Sequence, residues 1–127
     1  MTTTAWAHLP NAAHIDRVIA SAIAHPDQWV EGRGVAWNAQ AEWRGSAWHA
    51  AREAVRVQSR NTEWDAAWNA ARYFAQYAIL ALVAYDDCAY MLDSDPGELA
   101  ILAAFGDPRA ILLFGACKAL QSIKEVV

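Results

Sequence analysis

The stretch WDAAWNAAR, residues 64–72, sets two indoles four residues apart with alanines between them. AWNAQ at 36 and AWHAAR at 47 repeat the unit, so very large and very small side chains recur at the spacing of a helical turn. This pattern constrains the fold more than any other feature of the chain. Alanine lets a neighbouring helix approach closely, and the indole fills the space beside it, which is large-into-small packing of helix on helix. The tryptophan spacings of 4, 11 and 20 residues are too irregular for a solenoid of fixed period. One buried indole hides about 200 Å² and stabilises by about 5 kcal/mol before entropy costs. Seven tryptophans are therefore enough to hold a small core. Each buried indole N–H needs an acceptor, and Asp65, Asn38, Asn69 and Asp86 are the candidates.

The helical reading extends along the whole chain. Asn11 after Pro10 marks an N-cap, and Ile15, Val18, Ile19, Ala22 and Ile23 follow the spacing of one buried helical face. Pro26 stops that helix at His25, and PDQWVEGRG reads as a connector broken by Gly32 and Gly34. From Val35 to Gln58 the composition is helical, with Gly45-Ser46 as a kink or a break and Ser46 as a cap. Thr62 with Asp65 three residues on matches a capping box, which predicts one helix from there to about Leu92, roughly 45 Å long. SDPGEL sets Asp95 at an N-cap, Pro96 at the first helical position and Glu98 at the third. Gly106 ends that helix, and Asp107-Pro108 starts the last one, toward Val126. No segment alternates with period two, so no strand is expected. The expected architecture is all-α, a compact bundle of about five to six helices in a single domain, residues 1–127.

The net charge of −4 argues against a general grip on nucleic acid. The charges are unevenly placed. Six arginines stand against four acids between Arg33 and Arg72, while Tyr73 to Pro108 carries six acids and no base. The start, MTTTAWAHLPN, lacks the basic and apolar regions of a secretory signal. The apolar run free of any charge or histidine, Tyr73 to Tyr85, has 13 residues, short of the roughly 20 needed to span a bilayer. A soluble cytoplasmic protein, with no membrane contact, is the expectation. Cys88 and Cys117 have no metal or redox spacing and read as reduced, buried thiols.

Three sets of residues suggest chemistry. Trp29/Arg33, Trp48/Arg52 and Trp68/Arg72 stand at i, i+4, where indole and guanidinium become neighbours on a continuous helix. Arg56 and Arg60 prolong the second stripe, and Trp64 adds a further indole. Two such stripes facing a cleft, with Trp48, Trp68, Arg52 and Arg72, suit a nucleotide; the same geometry also serves as internal cation–π contact. Asp86 and Asp87 follow an apolar helix without a polar face, so at least one carboxylate is expected to be enclosed and tied to Arg72, Arg109 or His49. Adjacent residues on a helix point about 100° apart, which excludes the facing pair of a glycosidase. His8, His14, His25 and His49 form no metal-ligand spacing beyond the lone His49/Glu53 pair, and a Cys88/His49/Asp triad has no specific support. No cofactor or metal is implied.

The repeat region followed by LALVAYDDCAYMLDSDPGELAILAAFGDPRAILLF resembles a group of Ala/Trp-rich proteins of tailed bacteriophages, which have no assigned activity. Leu82 to Asp86, Leu92-Asp93, Pro96, Leu99 and Gly106 to Pro108 match that pattern in order, over roughly residues 36–120. Phe114-Gly115 stands where the pattern has a proline, Glu42, Arg44 and Val55 replace simpler repeat residues, and the helix through Ile23 lies outside the match. The resemblance implies action in a host cytoplasm by binding a host or defence component. The leading expectation is thus a non-catalytic accessory protein that inhibits or redirects a host protein, using exposed members of the Trp/Arg segment or the acidic run from Asp86 to Asp107. The alternatives are a nucleotide-sequestering protein and a small hydrolase using Asp86 or Asp87. A homodimer through the Trp/Ala face is also compatible with the composition.

Overall fold

The computed structural model describes residues 6–57, 61–71 and 75–126; the side chains of 30–44, 61, 63, 125 and 126 lie outside the described set. Among the described residues the secondary structure is helical throughout, with no strand. The elements are α1 (Ala12–Ala24), α2 (Pro26–Val57), α3 (Asn61–Ala70), α4 (Ala75–Ala84), a 3₁₀ helix (Ala89–Asp93), α5 (Pro96–Ala104) and α6 (Pro108–Val126). The short 3₁₀ helix is the element beyond the expected five or six. One hydrophobic cluster joins buried residues from Trp6 to Ala119.

Helix α6 is the axis of the bundle. Residues 110–117, AILLFGAC, are apolar on every side and buried on every side, as a helix without a polar face must be. Around it pack α2, α4, α5 and the 3₁₀ helix. Helix α4 is enclosed in the same way, with Ala78 to Ala84 all buried between α1, α2, α3 and α6.

Helix α2 runs unbroken for 32 residues, about 48 Å, through Gly32, Gly34 and Gly45. The expected connector at 26–34 and the break at Gly45-Ser46 are therefore overturned. Pro26 takes the first helical position, where its missing N–H would have had no helical partner. His25 is the whole junction: its N–H closes α1 on Ser21 O, and its carbonyl accepts from Trp29 N. Trp29 is fully buried and its Nε1 donates to Ser21 Oγ at 3.0 Å, which pins the start of α2 to the end of α1. A glycine in a helix costs about 1 kcal/mol, an amount that packing along a long helix outweighs. Nothing lies within 4 Å of where a Gly45 Cβ would stand, so no close approach requires that glycine.

The single helix expected from 62 to 92 is also overturned. It is divided into α3 and α4, and α4 ends at Ala84. Continuing the helix would carry Asp86 into apolar surroundings, whereas ending it lets both aspartates turn out to solvent. The carbonyls left open by this early end are met from α1. Asn11, buried at the N-cap position of α1, makes no side-chain capping bond of its own; its Nδ2 donates to Leu82 O at 2.9 Å and Tyr85 O at 2.8 Å. On α1 itself Ile15, Val18 and Ala22 are buried as expected, Ile19 is half-buried, and Ile23 is exposed rather than part of the core face. Ile19, packed in part on the core, and Ile23 border a surface cleft with Trp6 and Ala70.

The two helices expected to start at Pro96 and Pro108 form as their sequences predict. Asp95 caps α5 by accepting from Glu98 N at 3.3 Å. At the other end Gly106 has φ +86°, its N–H bonds to Ala103 O, and Asp107 N bonds to Leu102 O. Those two bonds make a Schellman motif that only a left-handed residue closes cheaply. Asp107 then starts α6, accepting from Arg109 N at 3.0 Å. No helix among the described residues is long and apolar enough to cross a membrane.

Candidate functional site

Three places gather the residues that carry chemistry. The first lies where α2 meets α3. Ala47, Ala51, Ala67 and Ala71 are buried, and the helices close over them. The neighbouring indoles then meet edge to face: Trp48 and Trp64 at 5.8 Å between centroids, Trp48 and Trp68 at 5.1 Å, and Trp64 and Trp68 at 4.6 Å. Tyr77 of α4 joins at 5.7 Å from Trp48. Such pairs add about 0.5–1.5 kcal/mol each beyond area burial. The tryptophan repeat is thus a packing device first. Among the described residues two indole N–H groups find other acceptors than those expected, Trp6 donating to Asp16 Oδ1 at 3.0 Å and Trp29 to Ser21, while Trp64 Nε1 is buried with none.

Beside this cluster opens a cleft of about 430 Å³ lined by His49, Arg52, Glu53, Arg56, Trp64 and Asp65. Arg52 lies over the ring of Trp64 at 5.6 Å, so its cation–π contact crosses from α2 to α3 instead of running up one helix to Trp48. Arg56 pairs with Glu53 one turn back, its Nε donating to Oε2 at 3.1 Å; this exposed pair raises the Arg56 pKa through the hydrogen bond and then the charge of Glu53. Trp48, Arg52, Arg56, Trp64 and Trp68 are thus gathered around one junction, and Arg72 lies outside the described residues. Trp64 is only 3% exposed and carries Arg52 on its face, so it offers no open surface for a base to stack on.

The second place is the turn after α4. Asp86 and Asp87 are both exposed, against the expectation that one is enclosed. Asp87 Oδ1 accepts from Arg109 Nη1 at 3.2 Å. Arg109 also grips Asp107 through Nε at 3.2 Å and Nη2 at 3.1 Å. Burial pushes the Asp107 carboxyl up, but its bonds to Arg109 and to the start of α6 outweigh this and hold it below the usual carboxylate range. Arg109 is raised in turn, chiefly by its hydrogen bond to Asp107. Burial, then the negative charge of Asp107, raises the Tyr85 phenol. Burial likewise pushes Cys88 up to about 12 and Cys117 up to about 11. Cys88 Sγ reaches Tyr85 O at 3.4 Å and Cys117 Sγ reaches Ser94 O at 3.0 Å. Protonated, enclosed thiols are poor nucleophiles, and His49 stands exposed in the α2–α3 cleft. Among the described residues no three His, Cys, Asp or Glu side chains are grouped to hold a metal ion.

The third place escaped the sequence reading. Glu98, Ile101, Leu102 and Phe105 share one exposed stripe of α5 and its C-cap at i, i+3, i+4 and i+7, with Phe105 86% exposed, Ile101 58% and Leu102 39%. Tyr90 of the 3₁₀ helix is exposed as well. A signal was present: PGELAILAAF is apolar at nearly every position after Glu98, and a short helix resting on one neighbour cannot cover all its sides. The chain matches no family model, no curated protein and no solved structure.

Proposed function

We propose that this chain is a non-catalytic binding protein that docks a partner protein on the outer stripe of α5. The observation that carries this reading is Phe105, a large aromatic ring 86% exposed at the C-cap of α5, beside Ile101 and Leu102. Anchors at i, i+3, i+4 and i+7 are how a helix engages an apolar groove, and an aromatic side chain is the usual centre of such a contact. The carboxylates bias the choice of partner. Asp87, Asp93 and Asp107 are paired with bases inside the fold, whereas Glu98 lies on the stripe, so a groove edged by lysine or arginine is the complement. The resemblance to Ala/Trp-rich phage proteins is consistent with a host protein, a defence factor among them, as that partner.

The test compares the unaltered chain with Phe105→Ser as bait in the bacterial host, followed by titration of the purified partner. Loss of an anchor costs about 2 kcal/mol or more, so Kd is expected to rise roughly thirtyfold or more, with the circular dichroism spectrum unchanged. Equal capture by the variant would exclude this surface. If the only species retained is a second copy, and Phe105→Ser makes it monomeric by sedimentation, the stripe is a homodimer contact instead.

A further inference from the structure

The cleft between α2 and α3 is separate from the α5 stripe, and its charges are arranged in an unusual way. Glu53 and Arg56 on α2 neutralise each other. Arg52, also on α2, rests on Trp64 and makes no ion pair among the described residues; Asp65, on α3, makes none either. The two walls therefore present one unmatched cation and one unmatched anion across about 430 Å³, a volume within the range of small-molecule sites. Trp64, in the same wall as Asp65, has a buried indole N–H without an acceptor, a deficit that folded proteins rarely leave standing.

We propose that this cleft binds a small zwitterion, a free α-amino acid or a dipeptide, with its carboxylate on Arg52 and its ammonium on Asp65. A pure anion would meet Asp65 and Glu53, and a pure cation would meet Arg52 and Arg56. A molecule carrying both charges satisfies each wall. A guanidinium resting over an indole is already held in place by that contact, so less rotamer freedom is lost when a carboxylate arrives.

Calorimetric titration of the unaltered protein with leucine and with glycyl-leucine tests this, against N-acetyl-glycyl-leucine, glycyl-leucinamide and inorganic phosphate. At least one zwitterion is expected to bind, and both blocked peptides to bind roughly tenfold more weakly or worse, since each has lost a charged contact. Arg52→Ala and Asp65→Asn should each weaken the zwitterion by a similar factor while helicity is kept. The proposal fails if neither zwitterion binds. It also fails if phosphate or the acetylated peptide binds as tightly as the zwitterion, which makes the cleft a simple anion site, or if both substitutions leave affinity unchanged. The peptide comparison needs no variant, so a misfolded Arg52→Ala does not spoil it.

Discussion

The tetrapeptide Ala-Ile-Leu-Ala occurs twice, at 78–81 in α4 and at 100–103 in α5. In α4 Ile79 and Leu80 are completely buried, whereas in α5 Ile101 is 58% and Leu102 39% exposed. Identical local sequence thus has opposite fates. The cause lies in the neighbours: α4 packs against α1, α2, α3 and α6, while α5 packs closely against α6. Local hydrophobicity says that a helix seeks cover; the topology decides how many sides receive it. A side left open on so apolar a helix is the best reason to look there for a partner.

The sharpest break of this comparison is Leu80→Ala. It should destabilise the fold by about 2–5 kcal/mol in urea unfolding, because the enclosed site cannot collapse around the cavity. Next comes Asn11→Ala. It would remove the amide donor shared by Leu82 O and Tyr85 O at the end of α4 and should cost about 1–3 kcal/mol. Asp107→Ala, at the α5–α6 turn, should cost about 1 kcal/mol at neutral pH through the lost cap. Asp107 is depressed in the fold, so its contribution is present above the ordinary carboxylate pKa and lost as pH falls through the lower folded value. The gap between the variant and the unaltered protein should accordingly narrow on acidification below about pH 4. The smallest effect belongs to Leu102→Ala. A loss below about 1 kcal/mol would uphold the contrast with Leu80, and an equal loss would show that α5 is covered in solution.

What was legible in the sequence follows the range of the interaction that decides it. The Asp95-Pro96-Glu98 start, the Gly106 stop and the Asp107-Pro108 start are settled within five residues, and each formed as read. The continuity of α2 through three glycines depends on packing against helices much later in the chain. The end of α4 depends on an asparagine 71 residues earlier. The chemistry of the Trp/Arg junction was visible as residue types, yet the partners were misassigned: Arg52 belongs to Trp64 of the next helix, a pairing that no i, i+4 rule contains. The paired aspartates were read on a helix that stops before reaching them.

Helix α6 comes after every element that packs on it. During synthesis α1 to α4 can already pack on one another, but α5 and the faces of α2 and α4 turned toward the axis stay wet until 108–126 emerge. The core is therefore closed only by its last helix, and a nascent chain stalled before Pro108 should be a ready client for chaperones and proteases.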